Sequence, residues 1–134
     1  MIAAYPPPDV KCEFTNMHMQ GGGPVANALV ALSRWGLPCY ISAVVGDDAF
    51  GKTIVDSLRE EGIDTGGLVT RIGHLSQFAF IVTEPDMARR TIFWQRPTGM
   101  SLQPADLDLE VLLKSRALHT DGLLTETSIF ACSK

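Results

Sequence analysis

A glycine-rich turn that leads into a helix is the part of the sequence best suited to binding a ligand. It runs as three glycines and a proline from Gly21 to Pro24, and Asn27 follows in the first turns of a helix predicted for residues 25–35. Glycine has no Cβ, so its backbone can approach a ligand closely. Proline suits the first helical position, and the first N–H groups of a helix have no partner within it. The pattern predicts a site for hydroxyl groups or an anion.

A second motif, over residues 46–53, fits the phosphate-loop pattern G-x-x-x-x-G-K-[ST]. It would place Lys52 on the phosphates of a nucleotide and Thr53 on Mg²⁺. Asp47 and Asp48 argue against this, because their carboxylates would lie beside phosphate oxygens of the same charge. We favour a strand-to-helix turn in which one of these aspartates caps the helix. A nucleotide triphosphatase that uses this loop is kept as an alternative.

Strands and helices that alternate along the chain are predicted to position these motifs. Apolar residues at helical spacing, Phe50, Ile54 and Leu58, are expected to enter the core together. Strands are predicted at 11–20, 39–45, 77–83, 90–96 and 117–120, and helices at 25–35, 49–61, 106–114 and from 125 onward. This order predicts an α/β fold: a parallel sheet with helices on both faces and an added hairpin that resembles a lid. Ligands of such sheets bind beyond the carboxyl ends of the strands, where Asp121 is expected.

Composition and charge exclude several classes of partner. The 134 residues carry a net charge of −4. The longest cluster of cations is the pair Arg89 and Arg90, which disfavours nucleic acid and anionic membranes. No apolar run reaches the ~18–20 residues of a membrane span. The three cysteines are odd in number and far apart, which predicts neither a disulfide framework nor a zinc site and indicates the cytoplasm. The last predicted helix has only begun at Lys134, so we expect the N-terminal part of a longer protein.

The glycine-rich turn and the 46–51 turn together resemble the ribokinase (PfkB-type) family of sugar kinases. The stretches that carry the resemblance are 22–28, 45–51, 61–64 and the hairpin 76–96, in the family's order. The resemblance implies a ribokinase-like parallel sheet flanked by helices with a small β-lid, present here in incomplete form. It implies that residues 1–134 are the N-terminal part of one domain. The lid strands would be about 10–20 and 77–96, and the α/β core 21–75 and 103–134.

Sugar recognition is the function that this resemblance implies for the chain. Its glycine pair, Gly22 and Gly23, and the helix residue Asn27 match positions that contact sugar hydroxyls in the family. The lid residues Ala79 and Ile81 resemble substrate-facing positions. Asp121, outside the lid, also resembles a substrate-facing position. The glycines and Asp48 of the 46–51 turn look structural in the family, in agreement with the charge argument.

The chemistry of phosphoryl transfer is expected outside this chain. The family's catalytic aspartate lies in a Gly-Ala-Gly-Asp motif, which nothing here matches, so the catalytic Asp is expected beyond Lys134 together with the site for ATP and Mg. Neither ATP nor a metal is expected to bind this chain tightly, and the chain alone is expected to be inactive. The resemblance also implies a homodimer through the β-lid. A non-catalytic α/β binding or dimerisation module is kept as a further alternative.

Overall fold

The computed structural model describes residues 1–2 and 4–134, and of Pro85 the backbone alone. Its elements are helices α1 (Pro24–Arg34), α2 (Ala49–Glu60), α3 (Leu109–Lys114) and α4 (Thr125–Cys132), and strands β1 (Tyr40–Gly46), β2 (Asp64–Arg71), β3 (Phe78–Glu84) and β4 (Arg89–Gln95). Short 3₁₀ turns cover Pro85–Met87 and Pro104–Asp106. The predicted α1, β1, α2, α4 and hairpin are confirmed to within a few residues.

A parallel pair of strands joined by α2 forms the centre of the fold. β1 and β2 are in register from Ser42 with Gly67 to Gly46 with Arg71. The buried core is Ile41, Leu58 and Ile63. α2 contributes Leu58 to this core, and Ile54 packs against it. Burial of these apolar side chains supplies the main driving force for this unit.

Helices α1 and α2 pack on the same face of the parallel pair. Val25 and Leu29 of α1 contact the cluster to which α2 contributes Leu58. The strand residues of that cluster, Ile41 and Ala43, are two apart and therefore share a face. None of the described α1 residues is fully buried.

Strand β2 was not predicted, and its glycines explain why. Its sequence contains Gly66 and Gly67, which indicate a turn rather than a strand. In the structure the ring of Tyr40 lies across this point, and a Cβ on Gly67 would be 2.7 Å from the ring. Glycine is required here because the Ile41 carbonyl oxygen, 2.6 Å from that Cβ position, and the Tyr40 ring both approach closely, which local patterning does not reveal. Partial burial of Tyr40 raises the pKa of its hydroxyl, and the negative charges of Asp108 and Asp64 add to the effect.

Two predicted strands are absent from the described chain. Residues 11–20 and 117–120 have no strand conformation. The first stretch is exposed throughout, as is the second. The predicted helix 106–114 is shorter than expected, because the 3₁₀ turn ends at Asp106 and α3 begins only at Leu109. A strand requires a neighbour to satisfy its backbone, and neither stretch pairs with one here.

Strands β3 and β4 form a separate antiparallel hairpin. The register pairs Phe80 with Phe93 and Ile81 with Ile92, so these two pairs lie on opposite faces. Phe80 and Phe93 form one apolar face, with ring centroids 6.3 Å apart. Every residue of β4 is exposed. The hairpin therefore presents two open apolar faces.

Candidate functional site

The glycine-rich turn is open around the residues that were predicted to bind sugar. A Cβ on Gly22 or Gly23 would meet no atom within 4 Å. Gly23 has φ +98°, a left-handed conformation that favours glycine, and it is the residue before α1. Its carbonyl oxygen accepts the Asn27 N–H at 3.0 Å, which begins the helix, and the Asn27 side chain is exposed. The turn thus offers bare backbone and one amide side chain to a ligand.

The other predicted site residues lie on two further segments. Ala79 and Ile81 share one face of β3 with Ile92 and Trp94 of the neighbouring strand, and both are exposed. Asp121 lies in the loop before α4, where its Oδ1 accepts the Leu123 N–H at 3.0 Å. Among the described residues, no hydrogen bond joins this loop, the hairpin face and the glycine turn. The structure confirms the accessibility of each group without testing its role.

The 46–53 turn uses its backbone N–H groups internally. Gly46 N donates to Ser76 Oγ at 2.9 Å, and Gly51 N donates to Asp48 Oδ1 at 2.7 Å. Lys52 N donates to the Asp48 carbonyl at 3.1 Å. A phosphate cradle needs several such N–H groups free and pointing at one anion. The N–H groups of Gly46, Gly51 and Lys52 are therefore not available to a phosphate.

The two side chains expected to act on a nucleotide are also occupied elsewhere. Lys52 Nζ lies 2.7 Å from Asp56 Oδ2, an exposed pair one helical turn apart. Thr53 Oγ1 donates to the Ala49 carbonyl of its own helix at 2.9 Å. A shallow cleft of about 300 Å³ borders the turn, and Asp47, Asp48 and Asp56 line it. Lys52 and Arg59 line it as well, so three carboxylates outnumber two cations, which disfavours phosphate.

Asp48 caps α2, as predicted, and also reaches the chain that leads to the hairpin. Its Oδ2 accepts the Ser76 N–H at 3.0 Å while Oδ1 serves Gly51. A hydrogen bond from the Ser76 side chain lowers the pKa of Asp48, and the backbone N–H groups of Gly51 and Ser76 lower it further against the effect of burial. The neighbouring Asp47 accepts the Gly73 N–H at 2.9 Å. These aspartates therefore organise the turn.

Phe50 departs from the predicted core position. Its side chain is 38% exposed, although Leu58 of the same stripe is buried. The Phe50 ring stacks on Phe78 at the start of β3, with centroids 4.4 Å apart and planes inclined by 22°. Position 50 lies in the first turn of α2, beyond the end of β1. The ring therefore packs against the hairpin instead of the sheet.

A half-buried ion pair holds the chain that follows the hairpin. Arg71 Nη2 lies 2.6 Å from Asp106 Oδ2, and the two side chains are 20% and 18% exposed. Arg71 also donates to the carbonyls of Met100 and Ser101. The Gln103 N–H, and then Arg71, hold the pKa of Asp106 below its usual range. Sequence reasoning missed this pair, since 35 residues separate its partners and neither stands in a motif.

Other kinds of site receive no support from the described part of the chain. No group of three His, Cys, Asp or Glu side chains within residues 1–2 and 4–134 could hold a metal ion. Over the same ranges, each helix is too short or too polar to cross a membrane. The cysteines Cys12, Cys39 and Cys132 are free thiols.

Comparison with known proteins decides the family. The model of the pfkB family of carbohydrate kinases matches residues 2–132. The chain belongs to the PfkB family. Fructokinase-1 of Oryza sativa subsp. japonica is 32% identical over 99 residues, which are 73% of this chain and 31% of the rice protein. The chain therefore spans about a third of this curated relative.

Solved structures place the chain in the ribokinase-like α/β fold of PfkB proteins. A putative ribokinase from Agrobacterium tumefaciens matches 78% of this chain and 36% of its own, with 25% identity and a TM-score of 0.65. A fructokinase with bound ATP from Xylella fastidiosa matches 68% of this chain and 28% of its own, with 26% identity and a TM-score of 0.60. The predicted family and fold class are confirmed at this level.

Proposed function

We propose that this chain is the sugar-recognition part of a carbohydrate kinase. The parent protein would transfer the γ-phosphoryl group of ATP to a hydroxyl of a sugar or nucleoside. The observation that carries the proposal is the family match over residues 2–132. Fructose is the first sugar to test, since the rice relative is named a fructokinase.

The open glycine turn would recognise hydroxyl groups through backbone and amide contacts. Gly22 and Gly23 leave space where a side chain would otherwise stand. Asn27 can both donate and accept hydrogen bonds, which suits a sugar hydroxyl. The carboxylate of Asp121 would accept a hydrogen bond from a further hydroxyl. Because hydroxyl recognition leaves polar groups unpaired when a hydroxyl is missing, such a site discriminates well between sugars.

The side of the hairpin that carries Ala79 and Ile81 would cover the sugar. Ala79 and Ile81 lie on this side, and Ile81 is 51% exposed. Apolar side chains over the C–H groups of a bound sugar would exclude water from the reaction. The opposite side carries Phe80 and Phe93, at 49% and 50% exposed, and would form the proposed homodimer contact.

Phosphoryl transfer would be completed by the parts of the family fold that this chain does not span. A positioned aspartate would take the proton of the attacking hydroxyl. ATP would bind there as well, as the Xylella fastidiosa structure contains ATP. Magnesium, if bound with the nucleotide, would neutralise charge on its phosphates. The three free cysteines agree with a reducing compartment, and we place the parent protein in the cytoplasm.

Calorimetric titration of the chain with D-fructose, ribose and a nucleoside tests this proposal. Weak, saturable binding of one of them is expected, and Asn27→Ala should abolish it. The matched control is Asn16→Ala, an exposed asparagine outside the turn. Failure of every sugar to bind, or equal loss with both variants, would remove the support for sugar recognition and favour a non-catalytic module.

The nucleotide triphosphatase alternative predicts a different titration. Tight binding of Mg-ATP that Lys52→Ala abolishes would establish it. The internal use of the N–H groups of Gly46, Gly51 and Lys52 argues against this result.

A further inference from the structure

The base of the hairpin meets the α/β unit in a small cluster of hydrogen bonds around Ser76. Ser76 is 1% exposed. Its Oγ accepts the Gly46 N–H at 2.9 Å, and its own N–H donates to Asp48 Oδ2 at 3.0 Å. β3 begins two residues later, at Phe78. The cluster therefore lies where the chain leaves the core to form the hairpin.

Asp48 uses its two carboxylate oxygens for two different elements. Oδ1 accepts the Gly51 N–H in the first turn of α2, and Oδ2 accepts the Ser76 N–H. Capping a helix requires only one side-chain oxygen, which serine supplies as well as aspartate does. The bond to Ser76 is therefore not needed for the helix, and it connects α2 to the hairpin.

A second contact joins the same two elements. The Phe50 ring, also in the first turn of α2, stacks on Phe78 at 4.4 Å. On the other side of the base, Thr98 Oγ1 accepts the Leu75 N–H at 2.8 Å, and Thr98 N donates to the Leu75 carbonyl at 3.0 Å. The two ends of the hairpin are thus hydrogen-bonded to each other, and the end that leads into β3 contacts the first turn of α2.

Away from its base the hairpin is largely uncovered. β4 is exposed along its whole length. Near the tip, Ile2 N donates to the Thr83 carbonyl at 3.1 Å, which connects the hairpin to the N-terminal segment and not to α2. The orientation of the hairpin relative to α2 therefore depends on the contacts at its base.

We propose that Asp48 and Ser76 form an anchor that sets the orientation of the β3–β4 hairpin relative to α2. Asp48 is then a positioning residue for the hairpin in addition to being the cap of α2. The proposal depends on the proposed function only where the hairpin is taken as the lid over a sugar. The anchor itself is tested without any sugar, so its failure and that of sugar recognition are distinguishable.

The test separates the two roles of Asp48 in a chain with one tryptophan. Trp35→Phe removes the other tryptophan, which is 77% exposed, and leaves Trp94 as a reporter in β4. Asp48→Ser keeps an oxygen for Gly51 and removes the oxygen that faces Ser76. In this variant the time-resolved anisotropy of Trp94 should show a larger, faster local motion. Hydrogen exchange of the Ser76 amide should accelerate at least about tenfold, the loss typical of one bond to a charged acceptor.

Hydrogen exchange of the remaining amides shows whether the effect is local. Amides of α2 and those that pair β3 with β4 should retain their protection, since the hairpin moves as a unit. Asp108→Ser is the matched control, because Asp108 caps α3 and accepts the Glu110 and Val111 N–H groups. It should leave Trp94 anisotropy unchanged. Asp48→Asn, which keeps one oxygen for Gly51 and turns an amide nitrogen toward the Ser76 N–H, should reproduce the effect of Asp48→Ser.

Three results would overturn the anchor. Unchanged Trp94 anisotropy in Asp48→Ser, despite faster exchange at Ser76, would show that the bond does not orient the hairpin. Equal loss of protection in α2 and the hairpin would show a general loss of structure. If Asp48→Ser does not fold, unchanged Trp94 anisotropy in Asp48→Asn gives the same negative answer.

Discussion

Some glycines of this chain are required by close packing and others face open space, and alanine substitution distinguishes the two kinds. A Cβ on Gly51 would overlap the Gly46 carbonyl oxygen and lie 2.7 Å from Ser76 Oγ, whereas a Cβ on Gly22 would meet open space. Gly51→Ala should therefore lower the free energy of unfolding by about 1–3 kcal/mol, as overpacking does. Gly22→Ala should change it by less than about 0.5 kcal/mol. Urea unfolding followed by circular dichroism measures both.

The same pair of variants distinguishes structure from recognition. Gly22→Ala should weaken sugar binding while leaving stability intact, because the added methyl group fills space proposed for the ligand. A stable Gly22→Ala chain with unchanged sugar affinity would remove Gly22 from the proposed site.

The Arg71–Asp106 pair predicts a pH-dependent contribution to stability. The pKa of Asp106 is lowered in the folded chain, so its contribution is complete above the unfolded pKa and is lost as pH falls through the folded pKa. Arg71→Met should cost about 1–2 kcal/mol at pH 7, between the values for exposed and buried pairs. Urea unfolding at pH 7 and near pH 3 should show a smaller cost in acid.

An exposed ion pair provides the control for that experiment. Lys114 and Glu110 lie one helical turn apart on α3, with side chains 77% and 86% exposed. Lys114→Met should cost at most about 0.5 kcal/mol at either pH. An equal cost for Arg71→Met at both pH values would contradict the assignment of its effect to the Asp106 charge.

At the scale of elements, the sequence predicted the helices and strands that are determined by their own residues. α2 was predicted from the spacing of Ile54 and Leu58 and from a carboxylate cap, and all three features are present. β2 was missed because Gly67 leaves room for the Ile41 carbonyl and the Tyr40 ring, which lie 26 and 27 positions earlier in the chain. The strand predicted at 11–20 failed for the complementary reason, since a strand depends on a partner that its own residues do not reveal.

In the candidate site, too, features set by neighbouring residues were predicted and contacts between distant residues were missed. Capping by Asp48 followed from charge and position, but its bond to Ser76 spans 28 residues and left no local signal. Arg71 and Thr98 were missed in the same way. The roles of Gly22, Gly23 and Asn27 came from the family resemblance and stay predictions.

The hairpin predicts an association that depends on one of its two faces. Phe93 and Ile92 are neighbours on β4, with 50% and 48% exposure, but they point to opposite faces. If the Phe80–Phe93 face forms the homodimer, Phe93→Lys should raise the dimer dissociation constant at least about tenfold, because a buried unpaired charge is costly. Ile92→Lys should leave the constant nearly unchanged. Sedimentation equilibrium measures both, and the reverse order would assign the dimer to the other face.

At the scale of the whole molecule, recognition and chemistry are expected to be separable. The glycine turn, the hairpin residues Ala79 and Ile81, and Asp121 are exposed. The proposed base and nucleotide site, in contrast, are expected in the part of the family fold that a chain spanning 31% of the rice relative does not include. Transfer needs the attacking hydroxyl, the base and the nucleotide held together, since positioning supplies much of the rate. We therefore expect no phosphoryl transfer from Mg-ATP to fructose by this chain alone. A coupled ADP-release assay at saturating fructose and ATP should match a protein-free blank. ADP release that requires fructose and disappears in Asn27→Ala would show that these 134 residues hold a complete catalytic site.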